Sequence, residues 1–324
     1  MSYNTPILFV IFNRLKTTKR VFLAIKKMKP KYIYISADGP RAEVKGDAEK
    51  CQDTREYVLN HIDWDCKVKT LFQKKNLGCG LGPATAITWF FKNVEEGIIL
   101  EDDCVPSESF FYYCSYLLEK YRDNDKISII SGHNELGSFG SDHTDYFFTR
   151  FAGIWGWASW RRAWIKFNIN VPEWRDKEIR EPVLNSFSSN YFKYELEFNL
   201  NKVIETGDFT FWDYQWWFYR ILGNTLGIVP AKNLVKNIGF GKGATHTQGG
   251  DHPSFYLDVN EILLPLKEPK IILPNEEYER KVIASYEAIY NSKRKKNIYF
   301  YLSAIKNKIK KLLSSNFYVS RKKK

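Results

Sequence analysis

The chain has 324 residues, enough to bury a full core, and its 44% hydrophobic and 27% charged content is ordinary for a soluble globular protein. Its formal charge of +12 is confined to residues 293–324, which hold twelve Lys and Arg and no acid, while the remaining 37 basic and 37 acidic residues cancel. A basic nucleic-acid groove spread over the fold is thereby excluded, as are a zinc or disulfide framework (five Cys, no CxxC) and any apolar run near the ~20 residues of a membrane span.

Ile7–Phe12 reads as a first buried strand, too short for the core of a secretory signal before Asn13 and Arg14 interrupt it. Lys16–Lys29 reads as a helix with Val21, Phe22 and Ile25 inward. Tyr32–Ser36 is a second strand, closed by the turn Asp38-Gly39-Pro40. A helix over Arg55–Ile62 and a strand over Val68–Phe72 follow. Gly78, Gly80, Gly82 and Pro83 then punctuate the chain before a helix expected from Ala84 to Asn93. Ile98–Leu100 is a fourth strand and Ile127–Ser131 a further one, separated by a helix over Phe110–Tyr121 with Ser107 or Ser109 as its cap. This alternation predicts an α/β fold with an open, mostly parallel sheet flanked by helices.

From about residue 145 the alternation weakens. Phe147–Trp164 is aromatic and glycine-punctuated, and most of the Trp residues fall between Trp155 and Trp217. Such crowding suits a thick core or a cleft for sugar or base faces. Asn190–Glu205 reads as a helix, Phe209–Leu222 is aromatic with one acid, Asp213, and Asn237–Gly250 reads as a Gly-rich polar loop. In the tail, Ile298, Leu302, Ile305, Ile309, Leu312 and Leu313 recur at helical spacing opposite Lys306, Lys308, Lys310 and Lys311. A basic amphipathic helix of this kind suits an anionic membrane surface; a partner-docking helix or a disordered tail is the other reading.

The acids Glu101, Asp102 and Asp103 follow directly on the aliphatic run Ile98–Leu100. Ligands bind at the carboxyl ends of parallel strands, and three adjacent acids are costly unless they are solvated or face a cation. Without a phosphate-binding GxxxxGK[ST] loop, the pattern suggests Mn²⁺ or Mg²⁺ held against a phosphorylated ligand; an acidic surface turn is the plainer alternative. Asp38 ends another strand on the same edge, where it could accept a uracil N–H or simply form an Asx turn.

Several separated segments, taken in order, resemble the nucleotide-sugar-dependent glycosyltransferases of the GT-A fold, and more narrowly N-acetylglucosaminyltransferase I and its bacterial relatives. They are PILFVIFNR, ISADGP, IILEDDCVPSESFFYY, SGHNELG, GWASWRRAW, FWDYQW and NIGFGKGATHT, spread over roughly residues 5–250. His133 in place of an aromatic, Cys104 and Pro106 after the acids, and the Gly-rich 78–80 depart from the family pattern. The resemblance implies a UDP-sugar donor, with UDP-GlcNAc or a related hexose as candidates, contacted by Arg14, Asp38, Glu101, Asp102, Asn134 and Glu135. It implies a metal on Asp103, with His246 as a second candidate ligand or an ordinary loop histidine. Asp213 becomes the catalytic base for an inverting transfer to a hydroxyl of a surface-glycan precursor; a helix cap, or a partner for Arg220 or Lys242, is the plainer reading of that residue.

The expected plan is a catalytic domain over 1–250, with a donor half to about 135 and an acceptor half beyond it. An extension over 251–292 would pack on that domain, and 293–324 would form the basic tail. The expected location is cytoplasmic, peripheral on the inner face of the plasma membrane, near a lipid-linked acceptor and with no nucleic-acid partner. A sugar nucleotidyltransferase is the alternative enzyme, although Asn13-Arg14-Leu15-Lys16 lacks the Gly-rich loop such enzymes carry after the first strand. A non-catalytic nucleotide-sugar or glycan-binding module is the third possibility.

Overall fold

The structure is a computed structural model that describes residues 3–140, 143–240 and 256–292. By internal contacts the chain divides into a unit ending at Arg280 and a second beginning at Lys281. In the second unit residues 281–292 are helical, and the basic tail lies outside the described residues.

The first unit opens with β1 (Ile7–Ile11), α1 (Leu15–Met28), β2 (Tyr32–Ala37), α2 (Asp47–Asn60), β3 (Lys67–Phe72), α3 (Gly78–Asn93) and β4 (Glu96–Glu101). It continues through β5 (Cys104–Pro106), α4 (Glu108–Lys120), β6 (Ile127–Ser131), β7 (Tyr146–Thr149), β8 (Trp157–Trp160) and α5 (Arg161–Trp164). A 3-10 turn at Pro172–Arg175 leads to α6 (Lys177–Asn185), α7 (Asn190–Thr206), α8 (Asp213–Leu222), β9 (Leu226–Pro230) and β10 (Val235–Asn237). One eight-stranded sheet runs in the order β3-β2-β1-β4-β8-β6-β9-β7, and β10 pairs with β5 in a separate ribbon. Only β8 and β7 run against the other six strands, so the predicted α/β fold with a mostly parallel, helix-flanked sheet is the one found.

The expected alternation holds as far as β6, although the helix expected from Arg55 begins at Asp47, because the parallel strands other than exposed β3 are buried and read as aliphatic runs. Phe9, Ile35, Leu100 and Ile130 are almost wholly buried and share one core with Phe110, Phe111 and Leu117 of α4. Each such side chain contributes roughly 1.5–3 kcal/mol of hydrophobic stabilisation. Of the two possible caps of α4, Ser107 is the one used, accepting from the Phe110 N–H at 3.3 Å.

The structure adds to one expectation and corrects another. The aromatic stretch around Phe147–Trp164, to which the sequence assigned no element, contributes two short strands, β7 and β8. The glycines before Ala84 do not interrupt the chain: they are the first turns of α3, which begins at Gly78. Gly80 is required there by close approach, since a Cβ would lie 1.7 Å from the Phe209 carbonyl oxygen.

After β10, the strap over 256–280 returns across the molecule. Glu261 accepts from the N–H groups of Glu108 and Ser109, completing the start of α4. Ile262 and Leu266 are buried, and Lys267 exchanges hydrogen bonds with Asp145 just before the edge strand β7. Asn275 donates to the Phe148 carbonyl, and buried Glu279 accepts from Thr149 and Arg150. Among the described residues, no helix is long and apolar enough to cross a membrane.

Candidate active site

Strand direction gathers the candidate residues. β1, β2, β4 and β6 all end at one edge of the sheet, so Arg14, Asp38, the acids 101–103 and residues 133–135 lie along it. This is the edge where open α/β sheets bind ligands.

Arg14 stands immediately before α1, its backbone held by Thr17 and Thr18, whose hydroxyls both donate to its carbonyl at 3.0 Å. Its guanidinium bonds Asp102 Oδ1 and lies 2.8 Å from Asp103 Oδ2. Burial works against the charge on Arg14, but the two carboxylates outweigh it and raise the group's pKa. Asp102 is nearly enclosed and also accepts from the Phe12 N–H at 3.3 Å. Burial lifts its pKa above the usual carboxylate range although Arg14 pulls the other way. Glu101 is raised as well, by burial first and then by Asp103 and Asp102.

The antiparallel ribbon β5–β10 lays the following chain over these acids. The Ile238 N–H donates to the Asp103 carbonyl at 2.8 Å, and Gly239 presses on the Asp103 side chain. A Cβ at Gly239 would sit 2.1 Å from Asp103 Oδ2, so any other residue would push the Asp103 carboxylate from its place. The Gly-rich loop expected at 237–250 thus starts against the acidic motif. Its remainder, including His246 and Lys242, lies outside the described residues.

Asp213 is the first residue of α8. It is partly buried, and burial raises its pKa to about 6 despite the N–H groups of Asp213 and Tyr214. It is close enough to Glu101 to raise that carboxyl in turn. The approach is fixed by α3, because the Phe209–Phe211 backbone rests on Gly80 and the Cys79 thiol donates to the Thr210 carbonyl at 3.2 Å. Arg220, offered above as a partner for Asp213, instead donates to Ala152, Arg150 and Ser128. A shallow surface depression, with no room for a ligand of any size, is lined by Asn199, Lys202, Asp208, Thr210, Phe211 and Gln215.

Two of the expected donor-contacting residues are engaged with their own neighbours. The Asp38 carboxylate accepts from the N–H groups of Gly39, Leu77 and Gly78 and from the Asn76 amide, at 2.8–3.0 Å. It is therefore engaged in holding the start of α3. Asn134 is fully buried and spends its amide on the Pro230 carbonyl at 2.8 Å, bracing the end of β9. Beside it, His133 Nδ1 is 3.1 Å from Asn233 Oδ1 and Nε2 is 3.5 Å from Glu135. The His133 ring packs on Trp155, which in turn meets Phe240.

Among the described residues, no three His, Cys, Asp or Glu side chains converge on a point that could hold a metal. A caged all-protein site does not fit. What does fit is an ion taking one or two carboxylates and completing its shell elsewhere, since Asp102 and Asp103 already face one cation, the Arg14 guanidinium. An all-oxygen donor set of this kind suits Mg²⁺ or Mn²⁺.

Trp155, Gly239 and the Phe209–Phe211 backbone were not singled out as site residues by the sequence. Gly239 carried a signal, as the first glycine of the Gly-rich loop read at 237–250. The others depend on contacts between segments far apart in the chain.

No family model matches the chain, and no curated protein does. Among solved structures, the chain is similar to mouse xyloside xylosyltransferase 1, at 12% identity over 67% of this chain and 81% of that one, with a TM-score of 0.32. HddC from Yersinia pseudotuberculosis matches at 12% identity over 49% and 77%, with a TM-score of 0.30. The 4-diphosphocytidyl-2C-methyl-D-erythritol synthase of Anaerococcus prevotii matches at 12% over 60% and 84%, also at 0.30. Likenesses this faint carry no function across.

Proposed function

We propose that this chain is a transferase acting on a nucleotide-activated sugar, and more narrowly a metal-dependent, inverting glycosyltransferase using a UDP-sugar. The observation that carries the reading is Asp213: a partly buried carboxylate with its pKa near 6, within electrostatic reach of Glu101 on the edge where the parallel strands end. A base poised near the working pH is what abstraction of a proton from an acceptor hydroxyl requires.

In this reading Asp103, with Asp102 beside it, would hold Mg²⁺ or Mn²⁺, which when bound supplies positive charge to the leaving diphosphate. Arg14 binds the same diphosphate through its planar fork. Glu101, at the end of β4, hydrogen-bonds the donor sugar. Asp213 accepts the acceptor's proton as the hydroxyl oxygen attacks the anomeric carbon from the face opposite the diphosphate. One in-line displacement inverts the configuration. Asp38 fixes the start of α3, and through Gly80 the approach of the Asp213 segment; a uracil contact from Asp38 would use a lone pair left over from that task. Glu135 and Trp155 face the acceptor side, and His246 is a further candidate for the diphosphate. The basic tail would keep the enzyme on an anionic membrane surface, beside a lipid-linked glycan acceptor.

The test is to incubate the full chain with UDP-sugars and Mn²⁺ and to measure UDP release. Slow hydrolysis without acceptor, accelerated by a glycan acceptor, supports the reading. Pyrophosphate release from UTP and a sugar 1-phosphate would instead identify a nucleotidyltransferase. Tight UDP-sugar binding with neither product would leave a binding module.

A further inference from the structure

Arg14 holds two carboxylates at once and is more open to solvent than either. Its side chain is 27% exposed, against 3% for Asp102 and 12% for Asp103. Its backbone is fixed by Thr17 and Thr18, so the guanidinium can leave while the residue stays in place. Asp102, by contrast, is enclosed, and a buried carboxylate stripped of its partner is strongly destabilising. Whatever displaces Arg14 must therefore bring positive charge with it.

We infer that Arg14 is a built-in counter-ion, occupying the cation position between Asp102 and Asp103 until a divalent metal arrives with a diphosphate, and then turning its guanidinium onto that diphosphate. The inference rests on the transferase reading above and adds the order in which its parts assemble. Charge supports the exchange. The resting trio carries one net negative charge, and after a divalent cation and the two charges of a sugar diphosphate are added, it carries one again. A free metal ion, arriving alone, must either sit against the guanidinium or expel it into water without an anionic partner. A metal that comes with a diphosphate gives the displaced fork a bidentate ligand. The first turn of α1 contains no acid, so the released group meets no competing carboxylate there, and the helix start favours an incoming anion. Metal and nucleotide are thus coupled through one side chain, and linkage makes that coupling reciprocal.

The experiment is a titration of Mn²⁺ followed by electron paramagnetic resonance, with and without UDP, on the full-length chain and on Arg14→Met and Arg14→Lys. In the unsubstituted protein UDP should strengthen Mn²⁺ binding at least about tenfold. Arg14→Met should bind Mn²⁺ without UDP at least about tenfold more tightly than the unsubstituted protein, and UDP should add less. Arg14→Lys keeps the charge but cannot bridge both carboxylates, so it should fall between the two, and it carries the test if Arg14→Met does not fold. UDP-dependent Mn²⁺ binding in the unsubstituted protein, with no gain in free-metal affinity in either variant, would overturn the counter-ion role and leave the transferase reading standing. Absence of Mn²⁺ binding in all three, even with UDP, would remove the metal and the exchange together.

Discussion

Gly80→Ala adds one methyl group at the contact between α3 and the segment that carries Asp213. The new Cβ would lie 1.7 Å from the Phe209 oxygen, 2.7 Å from its carbonyl carbon and 3.1 Å from the Phe211 oxygen. All three are backbone atoms, so no rotamer change relieves the clash. To restore an ordinary contact, the 209–211 segment must retreat by more than an ångström, and the start of α8 goes with it. Overpacking of this kind costs about 1–3 kcal/mol, seen as a lower urea midpoint. A displacement of roughly 1 Å at a catalytic group can lower turnover about 100-fold, so the loss of rate should far exceed what partial unfolding explains. Gly46→Ala is the control: its φ of +77° makes alanine strained, but nothing lies within 4 Å. It should cost about 1 kcal/mol and leave turnover of the folded protein unchanged. A Gly80→Ala protein with the turnover and urea midpoint of the unsubstituted chain would refute the claim that this contact positions Asp213.

Asp213→Asn should lower sugar transfer by about 10²–10⁴-fold while UDP binding by calorimetry stays within a few-fold. In the intact protein, kcat should rise with pH through about 6 and then level, as the base loses its proton. The same residue bears on stability: its folded pKa is raised from 3.8 to about 6, so the native state holds this proton more tightly. That contribution is full below the unfolded value and lost as pH rises through the folded one, so Asp213→Asn should stabilise the fold above pH 7 by up to about 3 kcal/mol in urea titrations. Asp103→Asn or chelation with EDTA should abolish Mn²⁺-dependent UDP affinity; unchanged affinity in either case counts against the metal role. Next to Asn13, Asp47→Ala removes a buried carboxylate from Asn13 and from Arg41, which is itself 41% exposed, and should cost about 1–3 kcal/mol, read by thermal unfolding.

The first half of the fold was legible because its strands, apart from the exposed edge strand β3, are buried aliphatic runs and its helices follow at regular intervals. In the second half the helix read at Asn190–Glu205 is α7, found at Asn190–Thr206, but the strands were not legible, for reasons of length and residue type. Tyr146–Thr149 and Trp157–Trp160 are four residues each, too short to show a period, and their aromatic character fits a helix or a loop equally well. The glycines of α3 were read as breaks because glycine weakens a helix, whereas the gain at Gly80 comes from a backbone 129 positions away in sequence. At the site, the acids could be placed on a strand end from sequence alone. That Asp213 meets them there, and that Asp38 and Asn134 serve their own neighbours first, depends on distant contacts such as Leu77 with Asp38 and Pro230 with Asn134.

The strap over 256–280 does more than extend the chain. A sheet with free edges can pair with the sheet of another molecule, and the two edges here are guarded differently. β3 is exposed but carries Lys67 and Lys69, whose charges disfavour a like strand alongside. β7 is entirely apolar apart from Thr149, and its outer side is met by the strap through Lys267 and Asn275. A chain cut at residue 255 would keep its acids and its base yet bare an aromatic edge. Its expected failure is self-association into strand-paired aggregates, visible by light scattering as soon as the protein is concentrated.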